Sequence, residues 1–314
     1  MATVSVRDLL DAGMHYGHHV SRWNPKMAPY IFGKRNAIHI IDLRQTVKGL
    51  ITACKFVTHV VSQGKTVVFV GTKRQARNAI KEQATRCGMP YVIERWLGGT
   101  LTNFRTIRSR LDRLTELEGI VEGPGIEQYS KKEGARMKRE LEKIKRNLDG
   151  IRNMDHIPGA VIIIDPKREK NAVAEAKRLN LPTVCLADTD CDPDWADVLI
   201  PGNDCSIRSV TLVAERLADA VNTGKEKRRE LARIEAEKAA AEAAERAKAK
   251  KEAAQQKAAE AAKAKEAQAA REAQKAEKKP EEASAPAEQP EPAKAQADAE
   301  QTESPAANRE TDKQ

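Results

Sequence analysis

The stretch "GAVIIID" (Gly159–Asp165) places five apolar residues in a row before an aspartate. A strand that is apolar at every position is typical of a parallel sheet that is covered by helices on both faces. Similar runs, separated by helical segments, are "TVVFVGT" (Thr66–Thr72), "PYVIER" (Pro90–Arg95), "PTVCLA" (Pro182–Ala187) and "ADVLI" (Ala196–Ile200). This alternation predicts an α/β fold built on a doubly wound parallel sheet.

The alternation of strands and helices is interrupted between residues 103 and 150. Ser130 and Glu133 form a capping-box pattern that opens a second helix there. We predict an antiparallel coiled-coil helical hairpin at 103–150, inserted into the α/β domain. Its two heptad-like apolar stripes are Phe104, Ile107, Leu111 and Leu114, and then Met137, Leu141, Ile144 and Leu148.

Composition divides the chain near Gly224, the last of its 17 glycines. We predict an α/β domain at 1–224, a solvated Ala/Glu/Lys-rich helix at 225–279 and a disordered tail at 280–314, because the distal residues lack apolar side chains for a core. Residues 1–224 carry 35 Lys and Arg against 26 Asp and Glu, a net charge of +9, whereas 225–314 carry 20 of each. The excess of positive charge on the folded part favours a polyanionic partner such as nucleic acid.

The 5 cysteines form no CxxC pair, and no run of about 18 apolar residues occurs in the chain. Reduced thiols in a soluble, cytoplasmic protein are therefore expected.

Known catalytic motifs are missing from the sequence. "HYGHH" (His15–His19) holds three of the 6 histidines, but it lies in a loop without the HExxH helix of a metalloprotease. "GKT" (Gly64–Thr66) lacks the first glycine of a P-loop and precedes a strand instead of following one. We therefore expect no enzymatic activity. An enzyme on the same fold and a free regulatory nucleic-acid-binding protein remain as alternatives.

Acidic residues cluster where the later strands end, in "DTDCDPDWAD" (Asp188–Asp197) and "IPGND" (Ile200–Asp204). Such a cluster would repel the phosphates of a nucleotide cofactor, and its spacing is not that of an EF-hand. It is either a solvated acidic loop or part of a divalent metal site. The residues of that possible site are His18, Asp188, Asp190, Asp192 and Asp204.

Basic residues recur beside tryptophans and along predicted helices, which is a pattern that RNA-contacting surfaces use. Twelve Lys and Arg face eight Asp and Glu between positions 105 and 146. The residues that we expect to contact RNA are Arg22, Trp23, Lys26, Lys34, Arg35, Lys73, Arg74, Arg77, Arg95, Trp96, Arg105, Arg108, Lys131, Lys132, Arg136 and Arg139.

Seven sequence blocks follow one another in a consistent order: "AGMHYGHHVSRWNPKMAPYIFGKRNAIHIID", "FVGTKR", "RWLGGTLTNF", "KKE", "PGAVIIID", "DTDCDPD" and "IPGNDCSIRSV". Taken together, these blocks resemble the bacterial S-two family of small-subunit ribosomal proteins over about residues 2–224. The resemblance implies a flavodoxin-like domain with an inserted coiled-coil hairpin, and a structural, RNA-binding role on the solvent side of the small subunit. It also implies contact with neighbouring ribosomal proteins, attachment of the S-one protein, and a metal ion near His18 and the acidic loop. Residues 225–314 exceed the usual family terminus, so no function transfers to them.

Overall fold

The computed structural model describes residues 5–123 and 129–276, which begin with a short helix and a small antiparallel sheet. Helix α1 (Val6–Ala12) is capped by Ser5 and ends at Gly13, whose φ of 76° is the left-handed conformation that glycine adopts easily. Three strands follow in the spatial order β1-β3-β2. They are β1 (Tyr16–His19), β2 (Ile31–Arg35) and β3 (Ile38–Ile41).

A second sheet of five parallel strands forms the centre of the domain. Its spatial order is β5-β4-β6-β7-β8. Counted within this sheet alone, the order is 2-1-3-4-5, which is the flavodoxin-like arrangement. The doubly wound α/β fold expected from the sequence is therefore confirmed. The strands are β4 (Val67–Val70), β5 (Tyr91–Val92), β6 (Ala160–Ile164), β7 (Thr183–Ala187) and β8 (Val198–Pro201).

Both faces of this sheet are buried, which explains the uninterrupted apolar strands. In β4, Val67 and Phe69 pack into one apolar core, whereas Val68 and Val70 pack into the other. Burying one such side chain contributes roughly 1.5–3 kcal/mol. The first core is completed by α2 (Leu43–Ser62), α3 (Arg74–Cys87) and α7 (Ile207–Ala276), and the second by α4 (Phe104–Glu122), α5 (Lys131–Leu148) and α6 (Lys170–Arg178).

Helices α4 and α5 are inserted between β5 and β6 and pack side by side. Arg108 pairs with Asp155, and Glu118 pairs with Lys145. As the residue number in α4 rises from 108 to 118, the number of its partner falls from 155 to 145, so the two segments run antiparallel. Ser130 and Glu133 form the expected capping box. The coiled-coil winding of the pair stays a prediction.

Helix α7 continues past Gly224, where the sequence suggested a domain boundary. A β-carbon at Gly224 would lie 2.9 Å from the Thr58 carbonyl oxygen and 2.8 Å from Val61, so the glycine allows α7 to approach α2 closely. Contacts among the described residues divide the chain after Ala241. The boundary at 224 and the helix at 225–279 stay predictions, and the tail at 280–314 lies outside the described residues. Among the described residues, no helix combines the length and apolarity that a membrane crossing requires.

One buried carboxylate organises the loop that leads from β5 to α4. Oε1 of Glu175 on α6 accepts hydrogen bonds from the Trp96 indole (3.0 Å) and the Gly99 amide (2.8 Å). Its Oε2 accepts from the amides of Leu101 (2.9 Å) and Thr102 (3.2 Å). Although burial alone would raise the pKa of Glu175, these hydrogen bonds lower it below its usual value. The charged carboxylate therefore determines where the hairpin leaves the domain.

We predict that Glu175→Ala lowers the free energy of unfolding by about 3–5 kcal/mol, because it leaves several buried donors without an acceptor. Glu175→Gln should cost less, since one acceptor oxygen is kept. The pKa of Glu175 is lower in the folded state than its ordinary value of 4.5. The stability lost in Glu175→Gln should therefore be greatest above pH 4.5, where the carboxylate is charged in both the folded and the unfolded wild-type protein. The loss should shrink as the pH falls through the folded-state pKa, because the wild-type carboxylate then becomes protonated.

Denaturant unfolding as a function of pH measures these differences. Glu82→Gln, on the exposed face of α3, is the matched control and should be neutral. A Glu175→Ala protein as stable as the control would contradict the role of this carboxylate.

Candidate functional site

The carboxyl ends of the parallel strands meet the antiparallel sheet. In flavodoxin-like folds, ligands usually bind in a crevice at this edge of the sheet. The crevice forms where neighbouring strands lead into loops on opposite faces. The backbone amide of His18 in β1 donates a hydrogen bond to Thr189 Oγ1 (3.0 Å), directly after β7. The Asn24 amide donates to the Thr189 carbonyl oxygen (2.8 Å). The amino-terminal part of the chain therefore lies across the crevice.

The crevice contains the side chain of Lys73. Its Nζ lies 2.8 Å from Asp204 Oδ1 and 3.3 Å from Asp165 Oδ2, and only 12% of the side chain is exposed. Burial alone would lower the pKa of Lys73, but the two carboxylates raise it above its usual value. Lys73 is therefore an internal counter-ion, and its expected contact with RNA stays a prediction.

Asp165 shows that this edge is under backbone strain. Its φ of 61° lies in the left-handed region that a residue with a β-carbon avoids. Burial and the nearby Asp204 raise the pKa of Asp165. The neighbouring Glu169 is 4% exposed and accepts a hydrogen bond from Thr72. Acidic groups from successive loops are thus concentrated at the sheet edge, as the sequence predicted.

Four side chains in this cluster have the composition of a metal site. Ligand atoms of His18, Asp188, Asp204 and Cys205 all lie within 4.8 Å of one another. His18 Nδ1 is 2.7 Å from Asp188 Oδ2, and hydrogen bonds to Asp188 and Cys205 raise the pKa of His18 to about 11. Asp204 is fully buried, and its Oδ2 has no hydrogen-bond partner among the described residues. That oxygen suits a cation.

Two of the five residues proposed for a metal site point elsewhere. Asp190 Oδ2 pairs with Lys167 at 2.9 Å, although its other oxygen lies 3.9 Å from His18. Asp192 pairs with Lys26 at 3.0 Å. Asp190 and Asp192 are thus paired with lysines, whereas Asp188 and Asp204 lie in the four-residue cluster with His18. The expected five-residue metal site stays a prediction. Cys205 was missed, although it directly follows Asp204 at a strand end.

The same cluster resembles a thiol hydrolase in the order of its groups, since Cys205 Sγ lies 3.8 Å from His18 Nε2 and His18 contacts Asp188. The Lys73 ammonium group is also 3.1 Å from the sulfur. Chemically, these residues have the groups either to hold a cation or to activate a thiol.

Several residues expected to bind RNA form hydrogen bonds or ion pairs with other side chains of the protein. Trp96 is only 4% exposed and donates a hydrogen bond to Glu175, and its expected contact with RNA stays a prediction. Lys26 is held by Asp192 and, at 2.5 Å, by Asp194, which neutralises it. Arg77 pairs with Glu94 and Arg108 with Asp155, so both are partly neutralised.

The other expected residues have exposed side chains. Trp23 is 38% exposed, and its ring centroid lies 5.3 Å from that of His39. The basic residues form two groups. One group accompanies the antiparallel sheet, and the other extends from the start of α3 onto the hairpin. Their members are Arg22, Lys34 and Arg35, and then Arg74, Arg95, Arg105, Lys131, Lys132, Arg136 and Arg139.

Comparisons with known proteins agree with this architecture. A family model described as "Ribosomal protein S2" matches residues 9–224. A "Small ribosomal subunit protein uS2" of Rhodopirellula baltica is 57% identical over 225 residues, which is 72% of this chain and 86% of the relative. A protein of the same description from Syntrophobacter fumaroxidans is 52% identical over 225 residues, covering 72% and 82% of the two chains.

These matches include both the parallel sheet and the inserted hairpin, whereas residues 225–314 lie outside the family model. The family is structural and non-enzymatic, so thiol-based catalysis is not assigned to the crevice. The chain belongs to the ribosomal protein S2 family and is a structural protein of the small ribosomal subunit.

Proposed function

We propose that this chain binds small-subunit ribosomal RNA in the cytoplasm through phosphate contacts spread over the hairpin and the adjacent sheet edge. The observation that carries the proposal is the exposed basic group on α5, which includes Lys131, Lys132, Arg136 and Arg139. These side chains lie off the apolar seam that contains Met137 and is buried at Leu141. They are therefore free to contact a phosphate backbone without loss of the helix packing.

Internal neutralisation supports phosphate binding at this surface and not at the crevice. Lys73 and Lys26 are paired with carboxylates, so they contribute little positive field. Residues 1–224 carry a net charge of +9, and the positive potential at the protein surface must then come mainly from other side chains. Phosphate contacts position a protein on RNA without reading its sequence.

The antiparallel sheet offers a different kind of contact. Phe32 is 80% exposed and Tyr16 is 51% exposed, while Ile38 on the neighbouring strand is 36% exposed. Exposed apolar side chains of this kind are typical of a surface that another protein covers. We assign contact with neighbouring small-subunit proteins to this sheet. The resemblance described above further suggests support for attachment of the S-one protein.

We also propose that His18, Asp188, Asp204 and Cys205 hold a divalent cation. A mixed set of imidazole, thiolate and carboxylate ligands suits Zn²⁺ better than Mg²⁺, which prefers oxygen ligands alone. The ion would satisfy the buried Asp204 Oδ2 and tie β1 to the loops after β7 and β8. Its role would be structural.

For RNA binding, we expect Arg74→Ala to weaken affinity for small-subunit RNA and to reduce the log–log salt slope by about 1, because one phosphate contact is lost. Lys73→Met is the matched control next to it. It should leave the salt slope unchanged but lower stability by about 3–5 kcal/mol, since it leaves buried carboxylates unpaired.

Charge reversal at Arg136, Arg139 and Lys143 should impair incorporation into the subunit without unfolding the domain. Filter binding at several salt concentrations and sedimentation measure these effects.

Affinity that is independent of salt would contradict phosphate binding, as would normal incorporation of the charge-reversed hairpin. A protein that binds RNA but sediments apart from the small subunit would support the alternative of a free regulatory binder.

For the metal, we expect elemental analysis of the purified chain to find close to one zinc per molecule. His18→Ala and Cys205→Ser should each lower the zinc content, because each removes a ligand. Asp192→Ala is the control and should keep the metal, since Asp192 contacts Lys26 instead. A folded, metal-free wild-type protein after equilibration with zinc would contradict the proposal, and so would equal loss of zinc in the control.

A further inference from the structure

A cleft of about 270 Å³ lies at the base of the hairpin, away from the acidic crevice. Three elements supply its walls. Lys81 comes from α3 and Tyr91 from β5, while Arg146 and Asn147 come from the last turn of α5. The cleft exists only because the end of the inserted hairpin returns to the sheet at this point.

Positive charge prevails in this cleft. Two acids line it, but Glu94 pairs with Arg77 at 3.0 Å and Asp149 pairs with Arg152 at 3.1 Å. Lys145, also on the wall, pairs with Glu118 at 3.5 Å. Lys81 and Arg146 are both exposed, and no ion pair is recorded for either within the described residues. The surplus charge available to a ligand is therefore positive.

An aromatic ring is held in a defined position on the wall. A β-carbon at Gly150 would lie 2.2 Å from the Tyr91 carbonyl oxygen and 2.7–2.8 Å from its ring atoms Cδ2 and Cε2. The backbone of residue 150 therefore supports the Tyr91 ring, and only glycine permits this approach. A ring fixed in this way offers a stacking surface with little entropic cost on binding.

We propose that this cleft binds a single unstacked nucleotide of ribosomal RNA, an inference that rests on the RNA binding proposed above. Lys81 and Arg146 contact the phosphate, the base stacks against Tyr91, and the Asn147 amide bonds to the base edge. The carboxylates of Glu94 and Asp149 accept hydrogen bonds from the ribose hydroxyls or the base amino groups.

The mixture of groups favours a nucleotide over a bare phosphate or an acidic peptide. A bare anion would use the two cations but would leave the ring and the carboxylate acceptors unused. An acidic peptide would also use the two cations, but it brings neither a base to stack on the ring nor ribose hydroxyls to donate to the carboxylates. A ribonucleotide has an anionic group, a π face and hydroxyl donors, so it matches every part of the wall.

The test uses the full-length chain and a short oligouridylate that contains thiouridine as a photo-crosslinking probe. We expect the crosslink to map to the peptide that contains Tyr91. The double substitution Lys81→Ala and Arg146→Ala should weaken binding of the oligonucleotide by about tenfold or more. Both side chains are exposed, so the variant should fold normally. Inorganic phosphate should compete poorly, and the deoxy oligonucleotide should bind more weakly than the ribo form.

The control is Arg44→Ala with Lys48→Ala, which removes the same charge from exposed positions of α2, the helix that packs against β8 at the opposite edge of the sheet. It should retain near-normal affinity. Equal weakening in the control, a crosslink that maps away from the cleft, or protection of the cleft by an acidic peptide and not by RNA would overturn the proposal.

If the wild-type chain binds small-subunit RNA and the cleft variant binds it equally well, only the nucleotide site fails. If the wild-type chain does not bind that RNA, the proposed function fails as well.

Discussion

The ion pair between Lys73 and the buried carboxylates of Asp204 and Asp165 is the constraint on which the functional surface of this protein depends. It fills the crevice at the carboxyl edge of the sheet, where other flavodoxin-like proteins hold a ligand. Removing one member of such a buried pair costs roughly 3–5 kcal/mol of stability. The charged groups of the crevice are therefore needed to pair with one another and not with an external anion. His18 and Asp188 extend the same network to β1. Interaction with other molecules is thereby left to the outer surface.

The inserted hairpin depends on a second buried charge, which is satisfied differently. Glu175 has hydrogen-bond donors around it instead of a cation, and four of them come from the single loop that enters α4. This fixes the start of the hairpin, while the cleft at Tyr91 and Gly150 marks its return to the sheet. Both ends of the insertion are therefore anchored at the parallel sheet, which holds its exposed basic side chains in a defined direction.

Much of the fold was readable from the sequence because it depends on local patterns. Apolar runs such as Gly159–Asp165 indicated the parallel sheet, and the Ser130 capping box indicated the start of α5. The candidate site was only partly readable, because burial and pairing arise from tertiary contacts. Lys73 looked like a surface lysine, and Trp96 looked like a stacking residue. Glu175 belongs to no sequence motif, although its position near Ala172 and Ala176 on the buried face of α6 could have indicated that it is buried. Cys205 was overlooked for lack of a partner at ligand spacing.

A density map of the small ribosomal subunit that contains this chain tests the central claim most directly. The account predicts RNA phosphates against the exposed arginines of α5 and no RNA within the crevice, where Lys73 should remain between Asp165 and Asp204. A hairpin that faces solvent, or a nucleotide phosphate bound to Lys73, would contradict the division between an internally neutralised crevice and an RNA-binding exterior.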